Sequence, residues 1–450
     1  MKENRNIGPL LLLLGLLASN MYFGDVNIGP ASPRLYFYGT ALMWVFAQCV
    51  IGRKTLGIDA RAQVLLVCYS VYVLWSAVSL TLQRAALPTI ASVLVDYHGI
   101  AIATFLITLF IVRTRADVGR LLAGLVLLFL VSGFIALLQW HFVPWSWSIW
   151  HRLRPHTEFL PGEPGLVQNE WGYKRIAISG LFGSAVAFGY YIAVLTPVVF
   201  RRFVARRSVA SLLALGVTLA AAVVVQQRAA LLGGVLCCLA LGYVTMRERG
   251  TSSKLLPVVG LVAAIIGGVV YMGSEPENAT GPATKYAEVV DAGRLQIAGI
   301  ALRHIARHPG LGSAREYEIA YERETDASSR YMEVLAPHNL FLNAAVFYGT
   351  PALLLIVVFL AVLGTIMMRV WLAARARHDW TSMTLVMSLV GYLMVAQFHN
   401  ASFVTGDAMP WVFIAAMLTA SREAAAHAAP AAVPKRRGRP DLRVAGEWSS

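Results

Sequence analysis

Apolar runs of about 20 residues, the length that carries a helix across a bilayer's hydrocarbon core, recur along this chain nearly from end to end. They fall near 7–23, 35–52, 62–82, 90–112, 121–140 and 176–200, then near 209–227, 229–246, 255–273, 338–368, 380–398 and 408–420. A backbone in lipid must satisfy its own hydrogen bonds, and a helix does so within one segment. The expected fold is therefore all-α and polytopic, with about 12 transmembrane helices at ~20 residues each. Composition agrees: 57% of residues are hydrophobic and 14% charged, against about 25% charged in soluble domains. Lys2 and Arg5 ahead of Leu10–Leu17 resemble a signal peptide. No small-x-small cleavage site follows, so this run counts as the first span. Cys49, Cys68, Cys237 and Cys238 all sit in apolar runs and read as small buried hydrophobes.

Charge sets the orientation. The segment 209–246 is interrupted only at Gln226-Gln227-Arg228, and both its flanks are basic: Arg201, Arg202, Arg206 and Arg207 before it, Arg247 and Arg249 after. Basic flanks mark the cytoplasm, which makes the segment a hairpin with Arg228 at its outer tip. Alternating the remaining loops from a cytoplasmic N-terminus leaves most Lys and Arg inside, with both termini cytoplasmic. The net charge of +14 is then an orientation signal toward membrane lipids, and nucleic acid is not an expected partner. The division of the chain follows: residues 1–273 hold spans 1–9, 274–337 form a long outer loop between spans 9 and 10, and 338–420 hold spans 10–12. The Ala/Pro/Arg-rich residues 421–450 read as a disordered basic cytoplasmic tail.

Two outer segments exceed ordinary loop length. Residues 141–175 carry Trp145, Trp147, Trp150 and Trp171, the aromatic mixture of a headgroup boundary. Residues 274–337 contain a helical pattern from Arg294 to His308, with Leu295, Ala298, Leu302 and Ile305 as its apolar face and Pro309 as its stop. His304 and His308 have i,i+4 spacing but lack the glutamate of a zinc-binding helix, and Arg303 and Arg307 repel a cation; they read as an exposed helix face. The outer loops also lack an Asp-x-Asp pair, so no metal and no cofactor is expected. Anion binding falls to arginine, whose planar fork meets phosphate oxygens in pairs. Arg175, Arg228 and Arg294 each adjoin the outer end of an expected helix. His338, after Pro337, opens the tenth span with a ring that exchanges a proton near neutral pH.

Gln227-Arg228-Ala229-Ala230-Leu231-Leu232, then Gly293-Arg294-Leu295 running into His308-Pro309-Gly310-Leu311-Gly312, then His338-Asn339 followed by Gly349, resemble the bacterial O-antigen ligase family. That family shares a superfamily with O-antigen polymerases and protein O-oligosaccharyltransferases. The resemblance implies a GT-C type glycosyltransferase of the bacterial inner membrane. It would move a polysaccharide from undecaprenyl diphosphate to the lipid A-core oligosaccharide at the periplasmic face, inverting the anomeric carbon without a metal. His338 matches the family's essential histidine, and Arg228 and Arg294 its essential arginines; Arg175 is a third diphosphate ligand, with Asn339, Lys174, Arg303 and His399 in support. The spacings from Arg154 to Gly165 and from Arg294 to Gly310 look like those of polymerases. A lipid-linked glycan transporter is the alternative of another class, with Asp96 and His98 in the fourth span as its only mid-membrane ionisable pair.

Overall fold

The structure, a computed structural model, describes residues 12, 14–16, 33–53, 55–141, 166–169, 172–175, 178–182, 185–225, 227–249, 296–324, 337–398 and 402–428. The expected spans near 7–23 (for the most part) and 255–273, the four loop tryptophans, Arg294 and His399 lie outside these residues. The helices are α1 (Pro33–Val50), α2 (Ala60–Leu82), α3 (Leu87–Ile111), α4 (Arg115–Trp140), α5 (Ala185–Arg206) and α6 (Val209–Val224). They continue with α7 (Arg228–Arg249), α8 (296–307), α9 (Ala314–Glu324), α10 (Leu340–Ala376), α11 (Trp380–Ala396) and α12 (Met409–Ala428). Among the described residues five helices are long and apolar enough to cross a membrane: α2, α3, α4, most of α5 and α10. Stretches of α1, α6, α7 and α11 are apolar but shorter. This is a multi-pass helical membrane protein. A short antiparallel pair, β1 (Leu166–Asn169) with β2 (Gly172–Arg175), is the exception to the all-α expectation.

The core is organised around α12, which is buried on every side from Met409 to Leu418, as a helix apolar all round must be. Trp411 is its hub. That ring meets Tyr69 of α2 at 4.6 Å, Phe105 of α3 at 5.3 Å and Phe359 of α10 at 5.7 Å between centroids. The hairpin expected at 209–246 forms, with the chain reversing just before Arg228, yet its arms separate: α6 packs mainly on α4 and α5, and α7 on α5 and α11. Small residues permit the close approach of α5, α7 and α11. A Cβ on Gly391 would lie 2.7 Å from the Ala193 carbonyl, and one on Gly234 would lie 3.1 Å from Thr196.

Three expected segments change. The sixth span begins at Ala185 rather than 176, because Ser179–Phe182 form a turn that docks on α4. Gln139 exchanges hydrogen bonds with Gly180, donating to its carbonyl (3.2 Å) and accepting from its N–H (3.0 Å), and Ser132 Oγ accepts from Leu181 N (2.9 Å). Gly180 is required there: its φ is 60°, and a Cβ would lie 2.4 Å from the Ser132 carbonyl. The last helix runs on to Ala428, into the expected tail, because its end is tied down. Ser421 accepts from Arg61 at 3.0 Å, Arg422 reaches the Gly57 carbonyl, and Glu423 accepts from Arg115 N. The tenth span, expected as one helix over 338–368, is broken at Gly349 (φ 83°, ψ 175°) into an arm, 340–348, and a main helix, 350–376.

Candidate active site

The arm is where the long outer segment, 274–337, leads into the bundle. Its first residue is capped by Asn339, whose Oδ1 accepts from Phe341 N (2.9 Å) and Leu342 N (3.1 Å) while its Nδ2 donates to the Gln397 carbonyl at the end of α11 (3.2 Å). His338 stands just ahead of that cap, half-buried, in a left-handed backbone with φ 52°. It therefore precedes the helix rather than occupying its opening turn. Such a conformation is uncommon outside glycine and persists only where the surroundings impose it.

The other end of the arm is held by a junction of three elements. Pro351 has no N–H for the Phe347 carbonyl, so that acceptor is left over in the helix break; Gln83 Nε2 donates to it at 2.8 Å. Thr350 N donates instead to the Pro309 carbonyl (2.9 Å), and Ser313 N takes the released Val346 carbonyl (3.0 Å). Trp75 Nε1 donates to the Tyr348 carbonyl (2.9 Å), and the Leu311 carbonyl accepts from Ser79 Oγ (2.6 Å) and Gln83 Nε2 (2.8 Å). The sequence motif Pro309-Gly310-Leu311-Gly312 is thus the turn that fits into the break. A Cβ on Gly312 would come 2.5 Å from the Val346 carbonyl, and one on Gly349 2.3 Å from that of Gly310. Ser79, Gln83 and Trp75 carry no signal in the sequence that sets them apart from ordinary span residues.

Above the break, α8 and α9 pack on the arm through Ile297, Ile300, Ala301, Tyr317, Tyr321 and Val346. The buried face of α8 is thus turned from the one expected, and Leu302 is 58% exposed. The two histidines are likewise not a plain exposed face. His304 is only 4% exposed and meets Tyr317 edge-on at 5.6 Å, whereas His308 Nε2 lies 2.8 Å from Glu316 Oε2. Burial first, then His308, hold the His304 pKa below the ordinary histidine value. Arg303, expected in support of the site, pairs with Glu324 and stays exposed.

The remaining site residues divide. Arg228 is the first residue of α7. Beside it, Gln227 lies against α5, where a Cβ on Gly189 would come 3.1 Å from it. At the next residue, Tyr190 meets Tyr392 of α11 at 4.9 Å, and Tyr392 donates to Asp407 at 2.8 Å. The starts of α5, α7 and the arm and the end of α11 therefore share one end of the bundle, which brings Arg228 and His338 to the same face. Lys174 and Arg175 lie in β2, ahead of the turn on α4. Of Asp96 and His98, read from the sequence as a mid-membrane pair, only His98 is buried in the bundle, whereas Asp96 is half-buried and bonds within its own helix. Ser92 Oγ donates to Asp96 at 2.8 Å. His98 lies in a π-helical turn of α3 with its Nδ1 2.8 Å from Tyr69 Oη. Tyr69 gives its single proton to the Phe403 carbonyl (2.9 Å), so His98 must be the donor toward Tyr69, in its Nδ1–H form.

A multi-pass helical bundle with a histidine-bearing arm and an arginine-headed helix at one face is the class of protein that these elements define. Residues 213–357, which include Arg228, Arg294, the Pro309–Gly312 turn, His338 and Gly349, match the family model described as O-antigen ligase. The match supports a glycosyltransferase-like enzyme of the O-antigen ligase type. No curated protein matches the chain.

Proposed function

We propose that the protein is an O-antigen ligase that transfers a polysaccharide from undecaprenyl diphosphate to the lipid A-core oligosaccharide at the periplasmic face of the bacterial inner membrane. The observation that carries this reading is the family match over 213–357, within which the fold brings the head of α7 and the start of the arm to one end of the bundle. A hydroxyl of the core sugar attacks the anomeric carbon of the donor from the side opposite the diphosphate. The carbon–oxygen bond to the diphosphate breaks, and the configuration inverts. His338 takes the hydroxyl proton as general base. Arg228 and Arg294, with Arg175 as a third, hold the diphosphate and stabilise its charge as it leaves. Lys174 and Asn339 support these groups, Asn339 by fixing the chain at the arm's cap.

The test is a two-substrate assay with purified protein, an undecaprenyl diphosphate-linked glycan, and either core lipid or a second lipid-linked glycan as acceptor. The expected product is glycan joined to core lipid by an inverted linkage, formed undiminished in excess chelator. Extension of the second glycan without transfer to core lipid would make the protein a polymerase instead. Loss in chelator with rescue by magnesium would end the arginine-only account.

A further inference from the structure

We infer that Gln83, at the end of α2, is a positioning residue for His338: it sets where the arm stands, and with it where the histidine meets the acceptor hydroxyl. The inference rests on the reading of His338 as general base. The arm is a short helix joined to its own main helix by a single left-handed glycine, a joint that does not by itself fix an angle. What fixes it comes from outside the helix. Gln83 Nε2 donates both to Phe347 in the last turn of the arm and to Leu311 in the turn that fills the break, each at 2.8 Å, and lies 2.9 Å from Ser79 Oγ. One amide therefore ties the arm, the loop helices and α2 together at the pivot. Trp75 adds a second donor, two turns earlier on α2, to the Tyr348 carbonyl. At the far end the arm has the Asn339 to Gln397 bond, next to His338.

A rod held at its pivot transmits small angular errors to its tip, and here the tip carries the reacting group. Misplacement of a catalytic group by about 1 Å can cost on the order of 100-fold in rate. No part of Gln83 need reach a substrate for this. None of these bonds involves the arginines assigned to the diphosphate, so donor binding should be spared.

The experiment compares purified full-length Gln83→Met, Gln83→Lys, Trp75→Phe and His338→Ala with the unaltered protein, each rate expressed per donor-binding site so that misfolded protein does not count. Gln83→Met keeps the length and loses both N–H donors, whereas Gln83→Lys restores a donor. The expected result is a kcat lowered about tenfold or more in Gln83→Met, an unchanged KM for the undecaprenyl-linked donor, and recovery of at least part of the loss in Gln83→Lys. Should Gln83→Met not accumulate as folded protein, Trp75→Phe carries the same comparison and should show the same split between kcat and KM. Unaltered kcat in Gln83→Met, or an equal loss in the methionine and lysine variants, overturns the inference alone. Unaltered transfer by His338→Ala overturns the reading of the histidine and this inference with it.

Discussion

His338 has a left-handed backbone immediately before the cap of the arm, a conformation costing a residue with a Cβ roughly 1–2 kcal/mol. Neighbouring contacts must supply that, and the residue that would relieve it is glycine. His338→Gly is therefore expected to leave thermal stability undiminished while abolishing transfer, with donor binding retained. A glycine variant that transfers at the normal rate would show that the position matters for its backbone and not for its ring. His338-Asn339 was legible beforehand because Pro337 and a following apolar run mark a helix start. The left-handed turn was not, since that backbone is uncommon for any residue with a Cβ, histidine included. Gln83 and Trp75 were illegible for a different reason: their partners are backbone carbonyls more than 200 positions away, and nothing local in α2 announces them.

At the scale of elements, the broken α10 shows how an apolar run conceals structure. Length was right for a helix, and the run 338–368 includes Gly349 and Pro351 without a break in its apolar character; helix breakers survive in membranes where neighbours satisfy the freed groups. The neighbours do so here, with donors from α2 and from the Pro309–Gly312 turn. Gly349→Ala should be strongly destabilising, since alanine meets both the φ of 83° and the Gly310 carbonyl; Gly364→Ala, later in the same helix with no neighbour within 4 Å of its Cβ, should be neutral or stabilising by up to ~1 kcal/mol. Comparable melting of the two variants would refute the junction. The loop helices make a second case, in which the amphipathic pattern of α8 was read with its face misassigned, because His304 looked polar and is packed as a core residue. Its folded pKa lies below the ordinary value through burial, with His308 and Arg307 acting in the same sense and Glu316 opposing them. The neutral ring is thus the form the fold prefers. The stability it contributes is complete above about pH 6.5 and declines as pH falls below that value. Amides of α9 should then exchange through more frequent opening at pH 5.5 than at 7.5, after correction for intrinsic rates, and His304→Phe should flatten the difference. Equal opening at both values would leave His304 without a role in the pH response.

At the scale of the whole molecule, alternation of the loops gives two ends, and the contacts sort themselves accordingly. One end gathers residues 57–61, 113–117, 379 and 421–423 into a network of charged groups: Arg61 with Asp59, Arg115 with Asp379, Arg115 N with Glu423, and Arg422 with the Gly57 carbonyl. The other end gathers Gln83, the Pro309–Gly312 turn, Asn339 and Gln397, with no ion pair among them. These are the loops that alternation from one side had placed together, so the pairing of loops was legible from the apolar runs once the basic flanks had divided 209–246 into two spans. The positive-inside bias predicts that the basic end faces the cytoplasm, and this can be measured directly. In a background without the four native cysteines, Ala86→Cys and Gly310→Cys lie at the end holding the arm, and Arg207→Cys and His378→Cys at the basic end; all four positions are exposed. A thiol reagent that crosses the outer membrane but not the inner one should label the first pair in intact cells, and the second pair only after the inner membrane is opened. Labelling of Arg207→Cys in intact cells, with Gly310→Cys protected, would turn the molecule over and put His338 on the side where no periplasmic acceptor could reach it.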